Sequence, residues 1–214
     1  MKKLGSLLGD REDMHRKKQL SYAAMNKLSV ILKSQKVRIG KKIKAYKSIV
    51  KPVLCYNMST WGLTKSEKEE LDRTHRKQLR QLWNDQRMKN RDVYKKCSEE
   101  PISVSMKKMR WKAFGHMLRL PTDTPCQQSM NYYFEINKNQ KCFSGKPRIT
   151  LPTTINQDIK EAVSETNNIN FINHVESFES REDLENLRKV ANDRKVWKTV
   201  INKLSMIGVV QGNE

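Results

Sequence analysis

Along most of this chain apolar residues recur three and four apart, and that spacing predicts a fold built mainly of helices packed on helices. The series Leu20, Ala24, Leu28 and Ile31 predicts a first helix over 13–33. Ile43, Tyr46, Ile49, Val50, Val53 and Leu54 predict a second from Ile39, with a kink or end near Pro52, which has no N–H for the helical ladder. "TKSE", Thr64 to Glu67, is a capping box opening a third helix that carries Leu71, His75, Leu79, Leu82 and Trp83. A short helix follows Asn90. Pro101 separates it from another over about Ser103 to Leu120, with Trp111, Phe114, Gly115 and Leu118 on one face and Pro121 as its stop. Pro121, Pro125, Pro147 and Pro152, among Asn and Gln clusters, predict an irregular connector over 121–152. Beyond it Thr154 begins a helix with Ile155, Ile159 and Val163, and "SRED" at Ser180 caps a longer one with Leu184, Leu187, Val190, Trp197, Ile201 and Leu204. The one strand candidate is "LGSLL" near the N-terminus. The expectation is a mainly α protein: a basic helical region over 1–120, the connector over 121–152, and a smaller helical region over 153–214.

Charge divides the chain more sharply than hydrophobicity does. Of the 214 residues 31% are charged, and the formal net charge is +20. Residues 1–120 hold 31 Lys and Arg against 11 Asp and Glu, whereas residues 121–214 hold 12 against 12, so the whole excess lies in the first part. Between Asp13 and Glu67 there is no acidic residue, and thirteen Lys or Arg occur there. Helical faces that mix both signs gain from i,i+4 pairing; a one-sign run gives that up and repels itself until a polyanion relieves it. A nucleic acid, met through its phosphates, is the partner this pattern fits.

Catalytic patterns are scarce. Two-metal phosphoryl chemistry needs clustered carboxylates, and the basic part has no Asp-Asp pair. The glycines form no phosphate-cradling loop ahead of a helix. His116 with Cys97, Cys126 and Cys142 is a conceivable zinc set, but none of the spacings is the tight pair of a zinc site. His116 falls at the edge of its helix's apolar face, which predicts a half-buried imidazole bonded to a neighbouring segment. Trp61, Trp83, Trp111 and Trp197 each fall on or beside an apolar stripe, which predicts packing rather than base stacking. Four widely spaced cysteines, Cys55 among them, and no secretory signal predict reduced thiols in an intracellular protein, nuclear or cytoplasmic and not secreted. No run is long and apolar enough to predict a membrane partner. No cofactor or resident metal is expected.

The segments "KLGSLL", "RKKQLSYAAMNKL", "YNMSTWGLTK", "HRKQLRQLW", "RWKAFGHMLRLP", "GKPRITLPTTINQDI" and "ANDRKVWKTVI", in that order, resemble the C-terminal part of the endonuclease-reverse transcriptases of non-LTR retrotransposons. The most specific pieces are Trp111, Gly115, His116 and Arg119, and Tyr56, Trp61, Leu63 and Thr64. The resemblance implies a primer-grip hairpin at Leu4 and Gly5, a helical thumb-like bundle that holds a template–primer duplex, and a further C-terminal region. The fingers, the palm with its metal-binding aspartates and the endonuclease would all lie upstream of Met1. Two departures stand out: Lys3 occupies the place of the hairpin tyrosine, and Pro152 falls where the family tends toward an uninterrupted segment with a tryptophan.

Together these readings predict a fragment of an RNA-directed DNA polymerase that binds DNA, RNA or their hybrid without reading sequence and performs no catalysis of its own. Lys36, Arg38, Lys41, Lys42, Lys44, Lys47 and Lys51 are the expected phosphate contacts, joined by Arg76, Lys77 and Arg80 of the third helix. The missing upstream reverse transcriptase domains are a further expected partner. The alternatives are a zinc-binding module or enzyme built on His116 and the cysteines, and the product of a decayed transposon without selected function.

Overall fold

A computed structural model describes residues 2–3, 6–7, 9–136, 149–166, 175 and 177–206. The protein is mainly α-helical, as its apolar spacing predicts. It forms two compact units, one running to Met106 and the other starting at Lys107.

The first unit opens with a two-residue antiparallel ladder, β1 (Lys2–Lys3) on β2 (Ser6–Leu7), in the register Lys2 to Leu7 and Lys3 to Ser6. The expected hairpin residues Leu4 and Gly5 lie outside the described residues. α1 (Asp10–Lys27) follows, with Asp10, Glu12 and Asp13 in its first turn, where the helix dipole favours negative charge. It breaks at Leu28 and resumes as α2 (Ser29–Lys33), so the single helix expected over 13–33 is two.

The expected apolar stripe of that segment is also corrected. Leu20 and Ile31 are exposed, and α1 instead buries Asp13, Met14, Lys17, Ser21 and Met25. Its inward face is half polar because each polar group finds a partner there. Asp13 accepts from Leu7 N at 2.9 Å and from Trp61 Nε1 at 3.2 Å. The Lys17 ammonium stands 4.3 Å from the centre of the Tyr56 ring. Ser21 donates to Lys18 O at 2.7 Å and accepts from Gln78 Nε2 at 2.8 Å. Burial without such bonds costs kilocalories, so the pattern follows hydrogen bonding rather than hydropathy.

α3 (Ile39–Ala45) continues through a π turn, Tyr46–Val50, into α4 (Lys51–Leu54). The irregularity expected at Pro52 thus takes the form of a widened turn just before it, which removes the need for the N–H that proline lacks. A short 3₁₀ turn, Met58–Thr60, leads to α5 (Lys65–Trp83). Its capping box is complete: Glu67 N donates to Thr64 Oγ1 and Thr64 N to Glu67 Oε2, at 3.4 and 2.8 Å. α6 (Asn90–Cys97) and the first turns of α7 (Ile102–Leu118) close the unit. Its core has two clusters, one around Met14, Leu54, Trp61, Leu71 and Ile102, the other around Met25, Tyr46, Val50, Leu79 and Val93.

The second unit moves the expected boundary from residue 120 back into α7, because Trp111, Phe114 and Leu118 belong to the core of the C-terminal residues. α8 (Pro125–Ile136) lies inside what reads as an irregular connector. Proline is tolerated at a helix start, where its missing N–H has no partner to lose, so Pro125 opens a helix rather than breaking one. The same reasoning places the start of α9 (Leu151–Thr166) before Thr154, with Pro152 in its first turn. α10 (Arg181–Asn192), capped reciprocally by Ser180 and Asp183, and α11 (Arg194–Met206) complete the unit. Trp111, Phe114, Ile155, Ile159, Phe178, Leu187 and Trp197 fill its core; each large side chain buried there contributes about 1.5–3 kcal/mol.

Candidate nucleic-acid interface

The acid-free run folds into α1 after its first turn, α2, α3, the π turn, α4 and the 3₁₀ turn, all within the first unit. Lys36 and Arg38 stand exposed in the segment joining α2 to α3. Arg38 is the residue before α3, and its carbonyl accepts from Lys41 N and Lys42 N at 3.0 and 3.3 Å. Lys41 and Lys44 are exposed and Lys42 half-buried along α3, which has no acidic residue in its first turn and packs on α5. Lys77 is exposed on α5. Among the described residues none of these six side chains has an acidic partner.

The other four expected contacts are already engaged. Lys47 Nζ lies 3.2 Å from Glu99 Oε1 and donates to Ser98 O at 2.8 Å. Lys51 Nζ reaches Glu99 Oε2 at 2.5 Å. Arg76 Nη1 donates to Tyr94 Oη at 3.4 Å, and Arg80 donates to Met88 O at 2.9 Å and to Asn90 Oδ1 at 2.7 Å. The ten basic residues therefore form an open set of Lys36, Arg38, Lys41, Lys42, Lys44 and Lys77, and a set bound into the fold.

Behind Lys47 and Lys51 lies a polar centre that sequence reading missed. The Glu99 side chain is 4% exposed. His75, fully buried, brings Nε2 to 3.9 Å from Glu99 Oε2, and neither ring nitrogen has a hydrogen-bond partner. Tyr46 stacks on the imidazole with ring centres 5.8 Å apart and planes 15° apart, and Tyr94 approaches at 5.8 Å and 50°. Burial, with the positive charges of Lys51, Arg76 and Lys47, pushes the His75 pKa down to about 3, so the ring is neutral at ordinary pH. Burial likewise raises Tyr46 well above its usual value and the Cys55 thiol to about 12. The one available sequence signal was a histidine at the i+4 position between Leu71 and Leu79, inside an apolar stripe; Glu99 gave none, since its lysines lie about fifty residues away in the chain.

The remaining motif residues have structural roles. Trp61, Trp111 and Trp197 are buried, as their spacing predicts; Trp83 is half-buried, donating to Cys97 Sγ at 3.3 Å beneath the Lys96 ammonium. Gly115 is required because a Cβ there would overlap the Trp197 indole, whose Nε1 donates to Trp111 O at 3.1 Å. Arg119 donates to Ala191 O at 3.0 Å. His116 is exposed rather than half-buried, because the bulk of Trp111, Phe114 and Leu118 turns the opposite face inward. Cys55, Cys97 and Cys126 are free thiols, and Cys142 lies outside the described residues. Among the described residues no three His, Cys, Asp or Glu side chains gather as metal ligands, and no helix is long and apolar enough to cross a membrane.

Compared with known protein families, curated proteins and solved structures, the chain matches none.

Proposed function

We propose that the first unit binds nucleic acid through its phosphate backbone, without base readout and without catalysis, as the thumb-like part of a reverse transcriptase of the non-LTR retrotransposon kind. The observation that carries this reading is the open basic set: among the described residues Lys36, Arg38, Lys41, Lys42, Lys44 and Lys77 have no carboxylate partner, and all but Lys77 lie in a stretch of chain free of acidic residues. Such a surface is disfavoured by its own repulsion and is relieved by a ligand carrying regularly spaced negative charge. Lysine and arginine contacts to phosphate position a protein but carry no sequence information, so DNA, RNA and hybrid of any sequence are expected ligands. The packing of the tryptophans supports the same reading, since single-strand binders present aromatic platforms to the bases. The test is fluorescence anisotropy with labelled duplex DNA, duplex RNA and hybrid of two unrelated sequences each. Binding that is equal between sequences and weakens with salt is expected. Absence of binding at low salt overturns the reading.

A further inference from the structure

We propose that engagement of Lys47 and Lys51 by a nucleic-acid backbone is coupled to the uptake of one proton from solvent by His75, with Glu99 transmitting the change. The proposal rests on the reading of the basic unit as a phosphate-binding surface. Its structural basis is a three-layer arrangement. Outermost are the two ammonium groups, on side chains 36% and 24% exposed; behind them is one carboxylate that both contact; behind that is an imidazole with no hydrogen bond to either nitrogen.

Glu99 is nearly enclosed, so the two lysines are what make its charge tolerable. A phosphate that draws the ammonium groups outward leaves that carboxylate buried and uncompensated, which is strongly disfavoured. The groups facing the imidazole decide what replaces them. Tyr46 and Lys47 come from the π turn, Lys51 from α4, Arg76 from α5, Tyr94 from α6, and Glu99 from the segment after it. Tyr46 Oη donates to Gln78 Oε1 at 3.0 Å and Tyr94 Oη accepts from Arg76, and neither hydroxyl bonds to a ring nitrogen. Glu99 Oε2, at 3.9 Å, is the acceptor toward which a protonated Nε2 can donate.

Charge then moves in a consistent direction. Burial first, and then Lys51, Arg76 and Lys47, oppose protonation of His75; ligand binding withdraws two of the three charges while adding phosphate charge outside. The imidazolium that forms pairs with Glu99 and restores neutrality to the buried centre. By linkage, a ligand whose binding takes up protons binds more weakly as pH rises, by up to about tenfold per pH unit for one proton.

The experiment is isothermal titration of the full chain with a short mixed-sequence duplex DNA at a pH of about 5, between the His75 value of about 3 and the 6.5 of a free histidine, in buffers of different ionisation enthalpy. The dependence of the observed enthalpy on the buffer gives the number of protons taken up. The expected value is well above zero for the wild type and falls toward zero in His75→Phe and in Glu99→Gln. Glu99→Gln is also expected to bind more tightly at the same salt, because a neutral amide does not hold the lysines back; a merely structural role for Glu99 would weaken binding. If His75→Phe fails to fold by circular dichroism, Glu99→Gln alone decides by these two readouts. Intact binding with no buffer dependence overturns the proposal and leaves the phosphate-binding reading standing. No binding in any buffer overturns both.

Discussion

Trp111 Nε1 donates to Asp158 Oδ2 at 2.8 Å at a point where Trp111 has no exposed surface and Asp158 only 2%. The same carboxylate lies 3.4 Å from Arg110 Nη1 and 3.6 Å from Lys107 Nζ, so one side chain on α9 serves two donors and a further cation on α7. Removing the shared acceptor strips a buried charge network of its centre. Asp158→Ala is expected to lower unfolding stability by about 3–5 kcal/mol. Trp111→Phe, which takes away one of the two donors along with part of the ring, is expected to cost less. Urea unfolding followed by far-ultraviolet circular dichroism gives both values.

Gly115 makes a second prediction in the same core. Alanine is the better helix former, and at an open position the exchange would stabilise α7 by up to about 1 kcal/mol. Here the added methyl meets the Trp197 indole. Gly115→Ala is therefore expected to destabilise by about 1–3 kcal/mol through overpacking and to alter Trp197 fluorescence. A stabilised variant with unchanged emission would show that the indole lies elsewhere.

His75 gives stability a pH dependence of determinate sign. Its pKa is about 3 in the fold against 6.5 for a free histidine, so between those values the unfolded chain holds a proton that the folded one does not. The burial of a neutral imidazole costs nothing from this source above 6.5; the cost grows as pH falls toward 3 and is constant below it. Glu70 and Glu179, held low by Lys18 and by Lys160, lose stabilisation only below the ordinary glutamate value of 4.5. The difference between wild type and His75→Phe cancels these carboxylates. The urea midpoint of wild type is expected to fall relative to the variant as pH drops from 6.5 to 5. Parallel profiles would mean that His75 is solvated.

The helices and most of the packing face of α7 are legible in the sequence because Trp111, Phe114, Gly115 and Leu118 obey a simple apolar period. α1 is not, because Asp13, Lys17 and Ser21 are buried by virtue of partners on distant elements, and hydropathy has no term for a satisfied polar group. α8 and the start of α9 were obscured by prolines that open helices as readily as they end them. At the interface, the acid-free run names the open Lys36, Arg38, Lys41, Lys42 and Lys44, since local composition is enough to find them; Lys77 lies outside it on α5. It does not separate Lys47 and Lys51 from the rest, because the carboxylate that ties them lies in another part of the chain.

The central claim is that the open basic set neutralises phosphates, and the salt dependence of duplex binding tests it most directly. The five members of that set in the acid-free run, Lys36, Arg38, Lys41, Lys42 and Lys44, contacting about five phosphates, predict a slope of log affinity against log salt of about −4 to −5, at roughly −0.9 per contact. The combined Lys41→Gln, Lys42→Gln and Lys44→Gln variant is expected to flatten that slope by about 3 and to weaken binding alike for unrelated sequences. Its helicity should be retained, because glutamine is nearly as good a helix former as lysine and Tyr46 and Val50 stay in the core. A variant that keeps its helix content together with the full affinity and the full slope would contradict the account.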